Sequence, residues 1–407
     1  MTYKEILCLL LILFATTFAV AQQPGPTSLP CGQLAALQVN WAQFHFDPCH
    51  TGYNPYEKIL SLSTVPNLVV DWKYNIPSNL DMYSSPAVVN GIVYVGSVPG
   101  VYALDANTGA LVWNYSTNCG YSDWSSPAVA NGIVYIGCGI NNNLSALDAK
   151  TGKLLWSVPT DSQVSSSPTV ANGMVYFNSG AIFSGGFYVY AVDAKTGALQ
   201  WKFGTQGTSN FDTPVVADGR VYVGGGYPGE DGLYALDATT GTFIWQFGNG
   251  LGCSPAAVTN GAALKRLVYV VCGSSLINTV YALRAATGTV VWQQTLGGGS
   301  PWSPAIANGV VYVAPEEDGQ LYALDANTGN VLWKAIATSS GSSPVVANGV
   351  VYIGSFDYSV YAFDASTGAQ LWKYKTGKYV YSTPAVANGK VYIASDDGNV
   401  YAFHLPN

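Results

Sequence analysis

The chain is poor in charge. Only 10% of its 407 residues are charged, 16 basic against 23 acidic, which gives a formal net charge of −7. The basic residues are scattered, so nucleic acid is not an expected partner. Histidine occurs three times and no Cys-x-x-Cys is present, which argues against zinc frameworks. No segment beyond residue 21 is apolar for the length that crosses a membrane, so the chain is not expected to be membrane-spanning. Linker-like composition is confined to Gln22 to Pro30.

Repetition fills the space these absences leave. A phrase close to Ser-Pro-Ala-Val-Ala-Asn-Gly-Val-Val-Tyr-Ile-Gly returns with its proline at 86, 127, 168, 214, 255, 304, 344 and 384, spaced by 41, 41, 46, 41, 49, 40 and 40 residues. That period fits a four-stranded propeller blade and is too long for a coil of a leucine-rich or β-helical solenoid. Within each unit, Asn-Gly (Asp218-Gly219 in one) reads as a type I′ hairpin turn between two short β-branched runs. A third strand of the type Val101 to Asp105 and a tight Asp-x-x-Thr-Gly turn then lead to a fourth strand with a tryptophan. The expected fold is all-β: an eight-bladed propeller of antiparallel four-stranded blades, alternating with period two throughout and with almost no helix.

Tryptophans mark how the ring closes. Trp113, Trp156, Trp201, Trp245, Trp292, Trp333 and Trp372 each follow a Thr-Gly turn, whereas the last unit stops at Tyr401 to His404 after its third strand. The missing strand matches Leu68 to Tyr74, with Trp72, at the other end. That strand should complete the eighth blade against Asn399 to Phe403 and remove two open edges. Each tryptophan is expected between neighbouring blades, where an aromatic takes ~150–250 Å² from water. The aspartates 105, 148, 193, 237, 325 and 364 read as turn formers, since a catalytic acid is not needed six times.

Residues 1–21 hold one lysine, an apolar run from Ile6 to Val20 and small residues at Ala19 and Ala21, the pattern of a secretory signal. Residues 22–66 read as an N-terminal extension and 67–407 as the propeller, in an exported protein of the periplasm or the extracellular space. In such a compartment the cysteines left after Cys8 pair locally: Cys31 with Cys49, Cys119 with Cys138, Cys253 with Cys272. A monomer is expected.

Ala103 to Trp113, Ala146 to Trp156 and Ala323 to Trp333 share Ala-x-Asp-x-x-Thr-Gly-x-x-x-Trp, which resembles the tryptophan-docking motif of the pyrroloquinoline-quinone (PQQ) type repeat propellers. The resemblance covers residues 68 to 403, and the segment from Trp41 to Glu57 is similar to the stretch by which such proteins enter the ring. It implies either of two functions. One is that of quinoprotein alcohol dehydrogenases, which hold PQQ and calcium in the channel. The other is that of the propeller subunit of the outer-membrane assembly machinery, which binds protein partners. The dehydrogenases usually carry two adjacent cysteines over the quinone; here no two cysteines are adjacent and no calcium-ligand segment is matched, so no catalytic or metal residue is assigned. The expected function is a non-enzymatic binding or assembly scaffold with an envelope or extracellular protein partner. The alternatives are a PQQ- and calcium-dependent dehydrogenase and a glycan- or cell-surface-binding module.

Candidate binding residues lie just before the repeat prolines. Tyr83, Trp124, Phe211 and Tyr381 stand three residues before, Trp302 two before, and Asp81, Asp123 and Asp212 lie nearby. Loops from the fourth strand to the next first strand, and from second to third, emerge on one face of a propeller. Tyr381, Tyr83 and Trp124, from consecutive blades, are therefore expected as an aromatic arc at the channel mouth, serving as a channel plug or as a ligand or partner site.

Overall fold

A computed structural model describes residues 40–77, 82–98, 100–116, 124–139, 141–180, 186–205, 212–224, 232–248, 250–254, 256–259, 266–273, 276–299, 302–337 and 340–406. The signal-like segment, Cys31, Asp81, Cys119, Asp123 and Phe211 lie outside them.

The described residues form eight antiparallel sheets, each of four radial strands, with blade five dividing its innermost strand in two. In blade one these are Ala87–Val89, Ile92–Ser97, Gly100–Asp105 and Leu111–Ser116, from the channel outwards. The tight turns are where asparagine and glycine are needed: Asn131 and Gly132 sit at φ 51° and 78°, the pair of left-handed residues that a type I′ hairpin requires. No α-helix occurs among the described residues, and Val65–Asn67 forms a single 3₁₀ turn. No helix among them is long and apolar enough to cross a membrane.

The ring closes between the chain ends. Val69–Asn75 pairs antiparallel with Asn399–His404, Trp72 opposite Ala402 and Asn75 opposite Asn399, and completes the eighth blade outside Lys390–Ser395 and Ala385–Ala387. The fourth strands depart from strict alternation. In every blade the register shifts immediately before the tryptophan, as between Leu111 and Trp113 opposite Leu104 and Ala103. The extra residue is a β-bulge. It leaves Leu111 and Val112 both exposed while Trp113 turns into the seam with blade two.

Six of the eight seams repeat one full set of contacts. The indole Nε1 of Trp113 donates to the Ala149 carbonyl at 3.0 Å, and the Tyr94 hydroxyl donates to the same carbonyl at 3.0 Å. Trp72, Trp201, Trp245, Trp292 and Trp333 bond the corresponding alanine of the next blade. Under each ring lies the turn glycine of that blade. A Cβ on Gly152 would stand 2.6 Å from the Trp113 ring, so only glycine admits the indole. Trp156 packs likewise on Gly197, and Trp372 donates to Leu68 O, because the chain reaches blade eight there from its N-terminal end. The turn aspartates hold their own loops: Asp193 Oδ1 accepts from the amides of Lys195 and Thr196 and from the Thr196 hydroxyl. Hydroxyl first and amide second keep the carboxyls of Asp148, Asp193 and Asp325 below the usual carboxylate range.

Cys253 and Cys272 face each other across adjacent strands of blade five and are bonded. Cys49 and Cys138 are also in disulfides; the expected partners, Cys31 and Cys119, lie outside the described residues.

Candidate functional site

The two ends of the channel are built differently. At the end carrying the Asn-Gly turns, residues 41–54 run around the inside of the ring and bond the innermost strand of every blade in turn. Trp41 pairs with Val88 through two 2.7 Å bonds, and the amides of Val129, Val216, Val258, Ile306 and Val346 donate to the carbonyls of Ala42, Pro48, Cys49, Thr51 and Gly52. Val170 N donates to Gln43 Oε1, and Asn54 Nδ2 donates to Val386 O. Tyr53–Asn54 adds a short parallel strand against blade seven. The turns of this floor are tight: His45, Phe46 and His50 take φ of 55°, 77° and 51°, and a Cβ on Gly52 would lie 2.9 Å from that of Ala305.

Two histidines are sealed in the floor. His45 Nδ1 donates to His50 O at 3.3 Å, while His50 Nε2 donates to Thr169 Oγ1 at 3.2 Å, whose hydroxyl passes on to Pro214 O. Their other ring nitrogens, His45 Nε2 and His50 Nδ1, find no partner among the described residues. Burial pushes His45 down to about 4 and His50 well below its ordinary value, so both are neutral.

At the other end a hydroxyl stands at the residue before each repeat proline: Ser85, Ser126, Ser167, Thr213, Ser254, Ser303, Ser343 and Thr383, all buried. Backbone amides pass from blade to blade along this ring, Thr383 N to Ser85 Oγ, Ser85 N to Ser126 Oγ and Ser126 N to Ser167 Oγ, each at 2.9 Å. Above it lies the aromatic arc. Tyr83 stacks on Trp124 with centroids 3.9 Å apart and planes 9° from parallel, and Tyr381 meets Tyr83 at 4.6 Å. The rings continue further than the sequence indicates. Phe356 packs on Tyr381 at 4.8 Å and on Tyr379 at 5.5 Å, and Tyr358 on Tyr379 at 5.0 Å, so the wall crosses blades two, one, eight and seven. All six rings are half-buried or exposed.

Other expected residues fall elsewhere. Trp302 donates to Ser340 O and does not join the wall. Asp212 is not on the rim: it is 5% exposed, takes the place that Ser84 and Ser125 hold in their blades, and its backbone carbonyl accepts from Asn178 Nδ2. Calcium and a quinone, which the dehydrogenase resemblance implies, call for clustered carboxylates and adjacent cysteines. No three His, Cys, Asp or Glu side chains gather as a metal site among the described residues. The Cys253–Cys272 bridge joins residues 19 apart.

The fold and its repeated seams define a PQQ-type repeat propeller, lined at one end by the chain's own segment 41–54. The profile of the family described as outer membrane protein assembly factor BamB, PQQ_2, matches residues 99–246, 179–277, 229–342 and 335–405, and the chain belongs to that family. Among solved structures it is similar to quinohemoprotein alcohol dehydrogenase ADHIIG from Pseudomonas putida HK5, at 20% identity over 90% of this chain and 80% of the other, with a TM-score of 0.74. A europium-containing methanol dehydrogenase has a TM-score of 0.74 at 18% identity, over 90% of this chain and 98% of its own. BamB from Moraxella catarrhalis has a TM-score of 0.64 at 19% identity, over 83% and 97%. No curated protein matches the chain.

Proposed function

We propose that this protein is an exported propeller, periplasmic or extracellular, that works as a non-enzymatic binding or assembly scaffold through its open face. The observation that carries this reading is the contrast between a floor filled by the chain's own segment 41–54 and a mouth lined by a continuous, partly exposed aromatic wall. Aromatic rings half out of water are the usual anchors of a recognition surface. The absence of adjacent cysteines in the sequence weighs the same way.

A second reading, a PQQ- and calcium-dependent dehydrogenase, is favoured by the similarity of the ring to quinohemoprotein alcohol dehydrogenase. Thermal melts of the purified protein with and without PQQ and calcium, run beside a dye-linked alcohol oxidation assay, separate the two. The scaffold reading expects an unchanged melt and no oxidation. A cofactor-dependent rise in melting temperature together with turnover overturns it.

A further inference from the structure

We infer that the aromatic wall binds an extended, uncharged polysaccharide chain and that Tyr358 is one of its binding residues. This rests on the reading of the open face as the binding face and names what that face takes.

Tyr358 carries the argument furthest. It sits at φ 71°, where blades six and eight place Gly319 at 67° and Gly398 at 82°. The three turns are equivalent, because in each the preceding aspartate accepts from the tyrosine hydroxyl four residues on: Asp318 from Tyr322, Asp357 from Tyr361, Asp397 from Tyr401. A bulky residue with left-handed φ is strained, and strain of this kind gathers at functional positions. Core packing does not compensate for it here. The Tyr358 ring is 36% exposed and rests on Tyr379, itself 42% exposed.

The chemistry around the rings selects the ligand. Among the described residues, the bordering carboxylates are engaged within the protein: Asp357 with Tyr361 and Lys373, Asp397 with Gly377 N and Tyr401, Asp396 with Met82 N. A ligand meeting this surface therefore needs no charge. Among the described residues, exposed aliphatic side chains, which a protein partner would want, lie off the wall, on the outermost strands, at Ile59 and Leu62, and at Leu276 and Ile277 in blade five. What remains is a row of tilted, partly exposed rings and phenol hydroxyls crossing four blades, which offers edges and outer faces to the C–H faces and hydroxyls of successive sugars.

Native gels cast with hydroxyethyl cellulose, dextran, galactomannan or soluble β-1,3-glucan test this, with carboxymethyl cellulose as the charged control. The parent chain and Tyr358→Gly are run together, and a proline-rich peptide is titrated in parallel. Retardation by at least one neutral polymer is expected, weakened about tenfold or more in Tyr358→Gly while its urea midpoint stays level or rises. A purely structural tyrosine would instead lower the midpoint. No retardation by any neutral polymer, retardation indifferent to Tyr358→Gly, or binding of the peptide alone overturns the inference. If envelope-protein capture depends on Tyr83, Trp124 and Tyr381 while no polymer retards the chain, the saccharide assignment falls and the binding-face reading stands.

Discussion

The floor and the mouth of the channel sit on the same eight blades and differ in nearly every other respect. The floor is made by one continuous segment, 41–54, that bonds every blade and is mostly buried. The mouth is made by short loops from separate blades, and its side chains differ from one blade to the next. Among the described residues its aromatic wall belongs to four blades. The repeats build a ring that is nearly indifferent to which end is which. Residues outside the repeat phrase give it a floor that ties all eight blades together and a mouth whose side chains vary from blade to blade.

The most disruptive way to break this comparison is to remove the floor and the closing strand together. Deleting residues 22–75 takes away the outer strand of blade eight, its Trp72 seam and every floor bond, and exposes a long β edge. Loss of the cooperative melt, or self-association on size exclusion, is expected. A truncated chain that stays monomeric and melts at the parent temperature would refute closure.

Acid tests the floor more gently. With both histidines buried neutral, the unfolded chain takes up protons below pH 6.5 that the folded chain refuses, until about pH 4 in the case of His45. Their contribution is therefore fully present above pH 6.5 and is lost as pH falls from there towards 4, on the order of 3 kcal/mol for His45. The turn aspartates act in a different window, below their ordinary value of 3.8. Urea midpoints at pH 7.5 and 4.5 should show the fall, and His45→Gln with His50→Gln should flatten it. An equal slope in that double variant would remove the histidines from the account.

Blade count, blade order and circular closure were legible because each rests on a local phrase repeated in sequence. The floor was not. Its segment carries no repeat, and its partners are single amides and carbonyls spread from Val88 to Val386. The bulge before each tryptophan was hidden for another reason: Leu111-Val112-Trp113 reads as an ordinary strand until the register shows Val112 skipped. Half of the wall was legible, since Tyr83, Trp124 and Tyr381 share a place before the proline. Tyr358 had a signal too, an Asp-Tyr where Asp318 and Asp397 are each followed by glycine. Its meaning depends on a backbone angle that letters do not state.

Between the two ends lies the blade-five bridge. It closes a loop of 19 residues, so changing Cys253 and Cys272 to serine should lower stability by about 3 kcal/mol without altering the ring. Urea unfolding of the double variant measures this, and a midpoint equal to the parent's would mean that the bridge contributes nothing.

The smallest expected effect is at the mouth, and it decides what the wall is. Changing Tyr83, Trp124 and Tyr381 together to alanine removes three half-buried rings and one stacked pair. Fully buried aromatics lost from a core would each cost about 3–5 kcal/mol. These rings are already partly in water, so the total is expected well below that of three core aromatics, with the stacked contact adding about 1 kcal/mol beyond area. A urea midpoint close to the parent's, with binding by the open face abolished, fits a wall made for recognition. A fall as large as a core substitution would make the rings a plug for the channel, and the difference between floor and mouth would then be one of construction and not of use.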